Sequence, residues 1–314
     1  MKKNYSYITN LILLTVILCF SLFCCNAQAK AKTKAKKKTT KTKVTKQVIS
    51  SLKTGKLVVK ANNIATNDLT VHFINVGEGD SILLTCGGEA VLVDAGLKEK
   101  GPSVFAYLKR QGVNKLKYAI ATHPHKDHIG GMSCIIDSMP IYKVMMPDYA
   151  NKETCYKDMM QAINRQKVPV IHPKPDKEFE VGKAKIKILA PISSKYEREN
   201  NYSIVAKVTY GSVSFLLAGD SEKESEAEML RRYGKSLKST FLKVGHHGSN
   251  TSSTDAFLKA VSPQYAVVSV GPNEFGHPGN KALQRIHDNG IKILRTDIHK
   301  DISLSTDGKK LIWR

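Results

Sequence analysis

The chain has 314 residues, 41% of them hydrophobic, with 49 Lys and Arg against 27 Asp and Glu, a formal net charge of +22. Such a composition can build a core, so whole-chain disorder is excluded, and ordinary Gly and Pro usage without a sustained heptad excludes collagen-like and coiled-coil classes. The charge is uneven: the first acid is Asp68, and residues 1–67 carry fourteen lysines and no arginine, which leaves +8 for residues 68–314.

The amino terminus reads as an address. Lys2 and Lys3 precede an apolar run from Ile8 to Cys25, followed by Asn26-Ala27-Gln28-Ala29. A charged start, an apolar stretch and a small-x-small site predict a signal peptide over 1–29, cleaved after Ala29. The alternative is an uncleaved segment that anchors the chain in the membrane. Either way the expectation is a secreted, cell-wall-associated or membrane-anchored protein. Cys19, Cys24 and Cys25 lie in this segment; Cys86, Cys134 and Cys155 remain, an odd and sparse set that reads as small hydrophobes rather than a disulfide framework. Residues 30–67 read as a Lys-rich, disordered arm, because Lys, Thr and Ala bury too little apolar surface to offset chain entropy. Such an arm suits electrostatic attachment to an extracellular polyanion, whether DNA, teichoic acid or anionic lipid.

From Leu69 the pattern becomes regular. Leu69–Val76, Ser81–Cys86 and Ala90–Asp94 read as strands, with Gly87-Gly88 as a hairpin turn. Pro102–Gln111 reads as a helix, Tyr118–Thr122 as a short strand and Glu153–Gln166 as a helix. Strands follow over Lys185–Ala190, Tyr202–Tyr210 and Val213–Ala218. A helix is predicted over Ser221–Tyr233 with Ser221 as its N-cap. Strands at Thr240–Val244 and Tyr265–Val270 alternate with helices at Thr254–Val261 and Asn280–Asn289. Ile291–Leu294, Ile302–Ser305 and Leu311–Trp313 close the chain as strands. Strand blocks with interspersed helices predict an α/β protein of sheets covered by helices in layers.

Chemistry concentrates in Ala121-Thr122-His123-Pro124-His125-Lys126-Asp127-His128, which packs three histidines and an aspartate into six residues after a strand. Imidazole and carboxylate together suit zinc, manganese or iron. Alternate residues of such a loop would point two ways, His123 and His125 to one ion, Asp127 and His128 to a second. Two other strand ends offer matching groups: Phe215 to Asp220 delivers one carboxylate, and Phe241 to Ser249 delivers His246 and His247.

These stretches resemble the metallo-β-lactamase fold superfamily, and within it the hydrolase domain of competence DNA-uptake channel proteins and their stand-alone secreted relatives. Phe73 to Ser81, Val93-Asp94-Ala95-Gly96, the His-x-His-x-Asp-His run at 123–128, Gly219-Asp220, Val244 to Ser249 and Ser269 to Pro278 carry the likeness over residues 68–314. The resemblance implies a four-layer αββα sandwich holding two divalent ions, Zn2+ or Mn2+. It implies that His123 and His125 bind metal one, that Asp127, His128 and His247 bind metal two, and that Asp220 bridges them. His247 is preferred to its neighbour because His-x-Ser matches the superfamily's last histidine; His246 then faces the substrate. Asp94 would orient ligands from behind. The chain departs from the superfamily at its usual third histidine for metal one, where Glu199-Asn200-Asn201-Tyr202-Ser203 stands instead, leaving metal one weaker or more open. His277 and Asn201 are candidates for the substrate groove, and Lys126 and Lys243 for attracting anions. His72, His172, His287 and His299 read as ordinary.

The expected activity is hydrolysis of a phosphodiester, nuclease-like and acting on extracellular DNA, by a metal-bridging hydroxide that Asp127 orients while His246 stabilises charge on the phosphoryl oxygens. Alternatives are a cell-wall phosphorylcholine or teichoic-acid esterase, a β-lactamase or lactonase, and a tethered polyanion-binding module with weak catalysis.

Overall fold

The computed structural model describes residues 68–314. The signal peptide expected over 1–29 and the Lys-rich arm expected over 30–67 lie outside the described residues. Among the described residues no helix is long and apolar enough to cross a membrane.

Three antiparallel strands come first: β1 (Leu69–Phe73), β2 (Ile82–Cys86) and β3 (Glu89–Val93). Gly87 and Gly88 join β2 to β3 at φ of 58° and 77°, a left-handed pair that costs glycine little. After α1 (Gly101–Arg110), the strands β4 (Leu116–Ile120), β5 (Ile141–Met145) and β6 (Val170–Ile171) add in parallel, with α2 (Lys126–Ile129), α3 (Met132–Ser138) and α4 (Thr154–Gln166) in the crossovers. The second half supplies β7 (Glu178–Val181), β8 (Ala184–Ala190), β9 (Val205–Tyr210), β10 (Val213–Leu217), α5 (Lys223–Tyr233), β11 (Phe241–Lys243), α6 (Asp255–Val261), β12 (Tyr265–Val268), α7 (Asn280–Asp288), β13 (Lys292–Arg295) and α8 (Thr296–His299). β14 (Ile302–Thr306) and β15 (Leu311–Trp313) then return to the first half. One sheet runs β15-β14-β1-β2-β3-β4-β5-β6 and the other β13-β12-β11-β10-β9-β8-β7.

Period-two alternation decides what each face buries. Val71, Phe73, Leu84 and Val93 meet Ile186, Phe215 and Phe241 between the sheets. The alternate residues Leu83 and Leu92 pack outward on Val104, Leu108, Ile135 and Ile163 of α1, α3 and α4. On the second sheet Leu216, Leu242 and Ala266 are buried on the face away from that core, as are Met229, Phe257 and Ile286 of α5, α6 and α7. Helix, sheet, sheet and helix make the four layers that the resemblance implies.

Two of the boundaries that differ from expectation share one reason. Glu199–Tyr202 is a 3₁₀ turn and β9 starts at Val205, not Tyr202; α5 starts at Lys223 with Glu222, not Ser221, at its N-cap. The Asn201 Oδ1 accepts the Glu222 and Ser225 N–H groups at 2.9 and 3.4 Å. A side chain twenty-one residues upstream of Glu222 thus caps the helix. Local reading also missed β5, β6, β7, α2, α3 and α8. β6 has two residues, and β7, Glu-Phe-Glu-Val at a sheet edge, alternates acids with apolar residues. Among the described residues, Cys86, Cys134 and Cys155 form no disulfide.

Candidate metal centre

Asp94 follows β3, His123 to His128 follow β4, Asp220 follows β10, and His246 and His247 follow β11. β3 and β4 are parallel neighbours in one sheet, β10 and β11 in the other, so each pair delivers its loops to one rim of its sheet. The segment 73–81 docks on the histidine loop. A side chain at Gly79 would collide with the Asp127 carbonyl, 2.0 Å from an added Cβ, while the Asp80 N–H donates to that same carbonyl at 3.2 Å. His246 and His247 sit at φ of 48° and 50°, a left-handed pair of non-glycine residues that stores backbone strain and turns both rings inward.

Asp127, His128, Asp220 and His247 form a compact group whose ligand atoms all lie within 4.8 Å of one another. His128 Nε2 is 3.1 Å from His247 Nε2 and 3.2 Å from Asp220 Oδ1, and His247 Nε2 is 3.1 Å from Asp127 Oδ2. His123 and His125 stand beside this group: His123 Nε2 lies 3.1 Å from His125 Nδ1 and 3.8 Å from Asp220 Oδ2. Asp220 therefore reaches both imidazole pairs.

The outward nitrogens fix the tautomers. His247 Nδ1 is 2.9 Å from the Ser269 carbonyl, and His128 Nδ1 is 2.7 Å from Asp94 Oδ2. Both partners are acceptors, so both Nδ1 atoms carry the proton. The Thr122 hydroxyl donates to Asp94 Oδ2 at 2.6 Å and is left to accept from His123 Nδ1 at 3.2 Å. His125 Nε2 donates to Glu199 Oε2 at 3.1 Å. In the neutral rings every inward nitrogen is then a lone pair. Two lone pairs 3.1 Å apart, twice over, repel unless a cation takes them. Zn–N bonds of about 2.1 Å put two ligands of one ion no more than about 4.2 Å apart; the Nε2 atoms of His128 and His247 meet that limit with each other and with the nearer oxygens of Asp127 and Asp220, at 3.1 to 3.7 Å. The residues fit a divalent ion there, and the looser His123–His125 pair with Asp220 offers a second, more open place.

The field has the same sign. Burial works against a charge on His247, but Asp220, Asp127 and Asp80 outweigh it and hold the imidazolium up to about 10. His128 is likewise raised well above the usual value, burial being overcome by Asp220, Asp127 and Asp94. Burial would raise the Asp127 carboxyl, yet His128 and His247 hold it well below the usual range. The carboxylates thus draw positive charge into the cluster.

Asp94 is fully buried behind His128 and Thr122 and bonds both. His246 stays at the cleft: its Nδ1 is 3.0 Å from Glu222 Oε1 and its Nε2 3.9 Å from Asp220 Oδ2. Burial opposes ionisation of Glu222, but bonds to His246, Arg198, Asn200 and Thr251 bring it down to about 2. A cleft of about 360 Å³ opens over Asp127, Asp220, His246 and His247, with Lys126 and His277 on its walls. Burial, and then His246 and His247, push the His277 ring down to about 4.

Two expectations are corrected. Asn201 is 1% exposed, its carboxamide is spent on the start of α5, and it does not line this cleft. Lys243 is fully buried rather than free to attract anions; its Nζ bonds Asp80 Oδ2 at 2.6 Å and the Gly219 carbonyl at 3.2 Å, directly before Asp220. Sequence reasoning missed Asp80, Glu199 and Glu222. Asp80 stood inside a quoted motif and Glu199 at the place of the absent histidine; Glu222 carried no local signal.

A model of the metallo-beta-lactamase superfamily matches residues 74–271. ComE operon protein 3 of Bacillus subtilis (strain 168) is 29% identical over 246 residues, covering 72% of this chain and 32% of that protein. Competence protein ComA of Neisseria gonorrhoeae is 31% identical over 251 residues, 79% of this chain and 34% of that protein. Recombination protein 2 of Haemophilus influenzae is 30% identical, covering 69% of this chain and 26% of that protein. The chain spans about a third or less of the length of these curated relatives. Among solved structures, the metallo-beta-lactamase fold protein YhfI from Bacillus subtilis superposes with a TM-score of 0.54 at 15% identity, over 75% of this chain and all of that one. The diiron β-hydroxylase CmlA from Streptomyces venezuelae gives 0.52 at 14% identity, over 78% and 55%. At these identities the structures speak for the fold alone.

Proposed function

The chain belongs to the metallo-beta-lactamase superfamily and in general class is a metal-dependent hydrolase; we propose that the bond it cuts is a phosphodiester, in DNA outside the cell. The observation that carries this reading is the placement of Asp220, 3.8 Å from His123 Nε2 and 3.2 and 3.4 Å from His128 and His247 Nε2, on the floor of an open polar cleft. One carboxylate shared by two imidazole pairs suits two ions that act on one ester. The names of the relatives, competence and recombination proteins, favour DNA as the ester's source.

Divalent ions, Zn2+ or Mn2+, held by His123, His125, Asp127, His128, His247 and the shared Asp220 would polarise the phosphoryl oxygens and acidify water. The protein's own groups do the rest. Asp127, ionised at the cleft floor, orients the attacking water. His246, anchored through Nδ1 by Glu222, presents Nε2 to a non-bridging oxygen. Asp94, Thr122, Glu199 and the Ser269 carbonyl hold the inward lone pairs in place, which avoids reorganisation during the reaction. The Lys-rich arm expected over 30–67 adds sequence-independent, salt-sensitive attraction to a polyanion, and a signal peptide over 1–29 would deliver the protein to that substrate.

The test is turnover of single-stranded DNA, bis(p-nitrophenyl) phosphate, a phosphorylcholine ester and nitrocefin by metal-loaded protein, with Asp127→Ala and His125→Ala alongside. The phosphodiesters are expected to be cleaved and both variants to lose orders of magnitude. Turnover of nitrocefin alone would reject the reading.

A further inference from the structure

We propose that Phe275 and His277 form an aromatic shelf that takes a nucleobase of single-stranded DNA, placing that nucleotide's phosphate over His246 and His247; this rests on the phosphodiesterase reading and names what part of the substrate the cleft wall recognises. Phe275 is 72% exposed, the most exposed of three exposed large apolar side chains among the described residues, and unlike Tyr142 and Ile298 it lines the cleft. Its ring stacks on His277 at a centroid distance of 5.8 Å and an interplanar angle of 25°. His277 in turn stands edge to face with His246, centroids 5.0 Å apart, and 6.3 Å from the His247 ring. The aromatic ladder therefore begins at His246, beside His247, and ends in solvent.

The shelf is built rather than loose. Asn273 Nδ2 donates to the carbonyls of Gly271 and His277, both at 2.9 Å, and Asn273 Oδ1 accepts the His277 N–H at 3.0 Å. One carboxamide thus closes the 271–277 loop on itself and holds the His277 backbone. A lone exposed Phe elsewhere would need no explanation. Here it stands in a cleft otherwise walled by Glu78, Lys126, Glu153, Asp127, Asp220 and imidazoles, where an ester carrying neither a ring nor a cationic head gains little from it. Every nucleobase has a flat face to lay on it, whatever the sequence. The strand must be single, because bases inside a duplex are already stacked and out of reach.

The test compares oligothymidylate with an abasic oligomer of the same length and dye, bound to the full chain after metal removal. No hydrolysis occurs then, and the equal phosphate counts cancel the contribution of the basic arm. Wild type should bind the thymidine strand about tenfold more tightly, at the lower end of what one stacked base contributes. Phe275→Ala should erase that ratio and Phe275→Trp should keep it. Equal affinities in the wild type, or a ratio that survives Phe275→Ala, would overturn the shelf. So would a KM for glycerophosphocholine that rises about tenfold in the metal-loaded Phe275→Ala protein while the oligomer ratio stays put, which would make the ring a seat for a quaternary ammonium. If the ratio behaves as expected but loaded wild type cleaves no phosphodiester, the shelf stands and the hydrolytic reading falls. Oligouridylate bound as tightly as oligothymidylate would keep the shelf and widen its ligand to any single strand.

Discussion

The Nε2 atoms of His128 and His247 face each other 3.1 Å apart, although 119 residues separate them in the chain. Each ring is held from behind by an acceptor, Asp94 Oδ2 for one and the Ser269 carbonyl for the other. The fold spends two hydrogen bonds on aiming two lone pairs at one point, an arrangement that a cation stabilises.

Removing the support behind one ring tests that aim. Asp94→Asn keeps the volume but removes the charge that fixes the His128 tautomer. Metal affinity is expected to fall about 10–100-fold, read by competition with a chromophoric chelator. Unchanged affinity would show that His128 needs no such partner.

The two halves of the cluster should behave differently. His247→Ala breaks the compact four-residue group, whereas His125→Ala leaves it whole. After desalting, the His125 variant should retain one tightly held equivalent of metal by elemental analysis and the His247 variant should lose it. The reverse order would mean that the His123–His125 side is the tighter site.

The buried pair beneath the centre is a stability device. Lys243 and Asp80 are 0% and 2% exposed at their side chains and 2.6 Å apart. Lys243→Met strands the Asp80 charge and should cost about 3–5 kcal/mol in urea unfolding. The double variant with Asp80→Asn should recover much of that loss, because both buried charges are then gone. Simple additivity of the two single changes would sink this account.

His72 makes stability depend on pH away from the metal cluster. Burial, and then Arg314, lower its pKa to about 4. A histidine near 6.5 in the unfolded chain takes up a proton before the folded one does, so acid favours unfolding. Stability should therefore be full above pH 6.5 and fall toward pH 4 by about 2–4 kcal/mol from this group. His72→Gln should flatten that part of the curve in denaturant titrations. A parallel curve for the variant would assign the slope to other groups.

Much of this was legible in the sequence because it is written locally. Alternation in Leu69–Phe73, the apolar run Ile82–Cys86, the Gly87-Gly88 turn and the cluster of ligand-type residues at 123–128 are signals of neighbouring residues, and neighbours are what periodicity and spacing report. The likeness to a known superfamily extended that reach to Asp220, His247 and Asp94. Tertiary structure alone decided the rest. The Asn201 carboxamide starts a helix twenty-one residues on, Lys243 turns from a surface cation into the buried partner of Asp80, and Glu199 and Glu222 become the anchors of His125 and His246. Each of these roles is set by which distant group lies within about 3 Å, a hydrogen-bonding and desolvation question that no local pattern encodes.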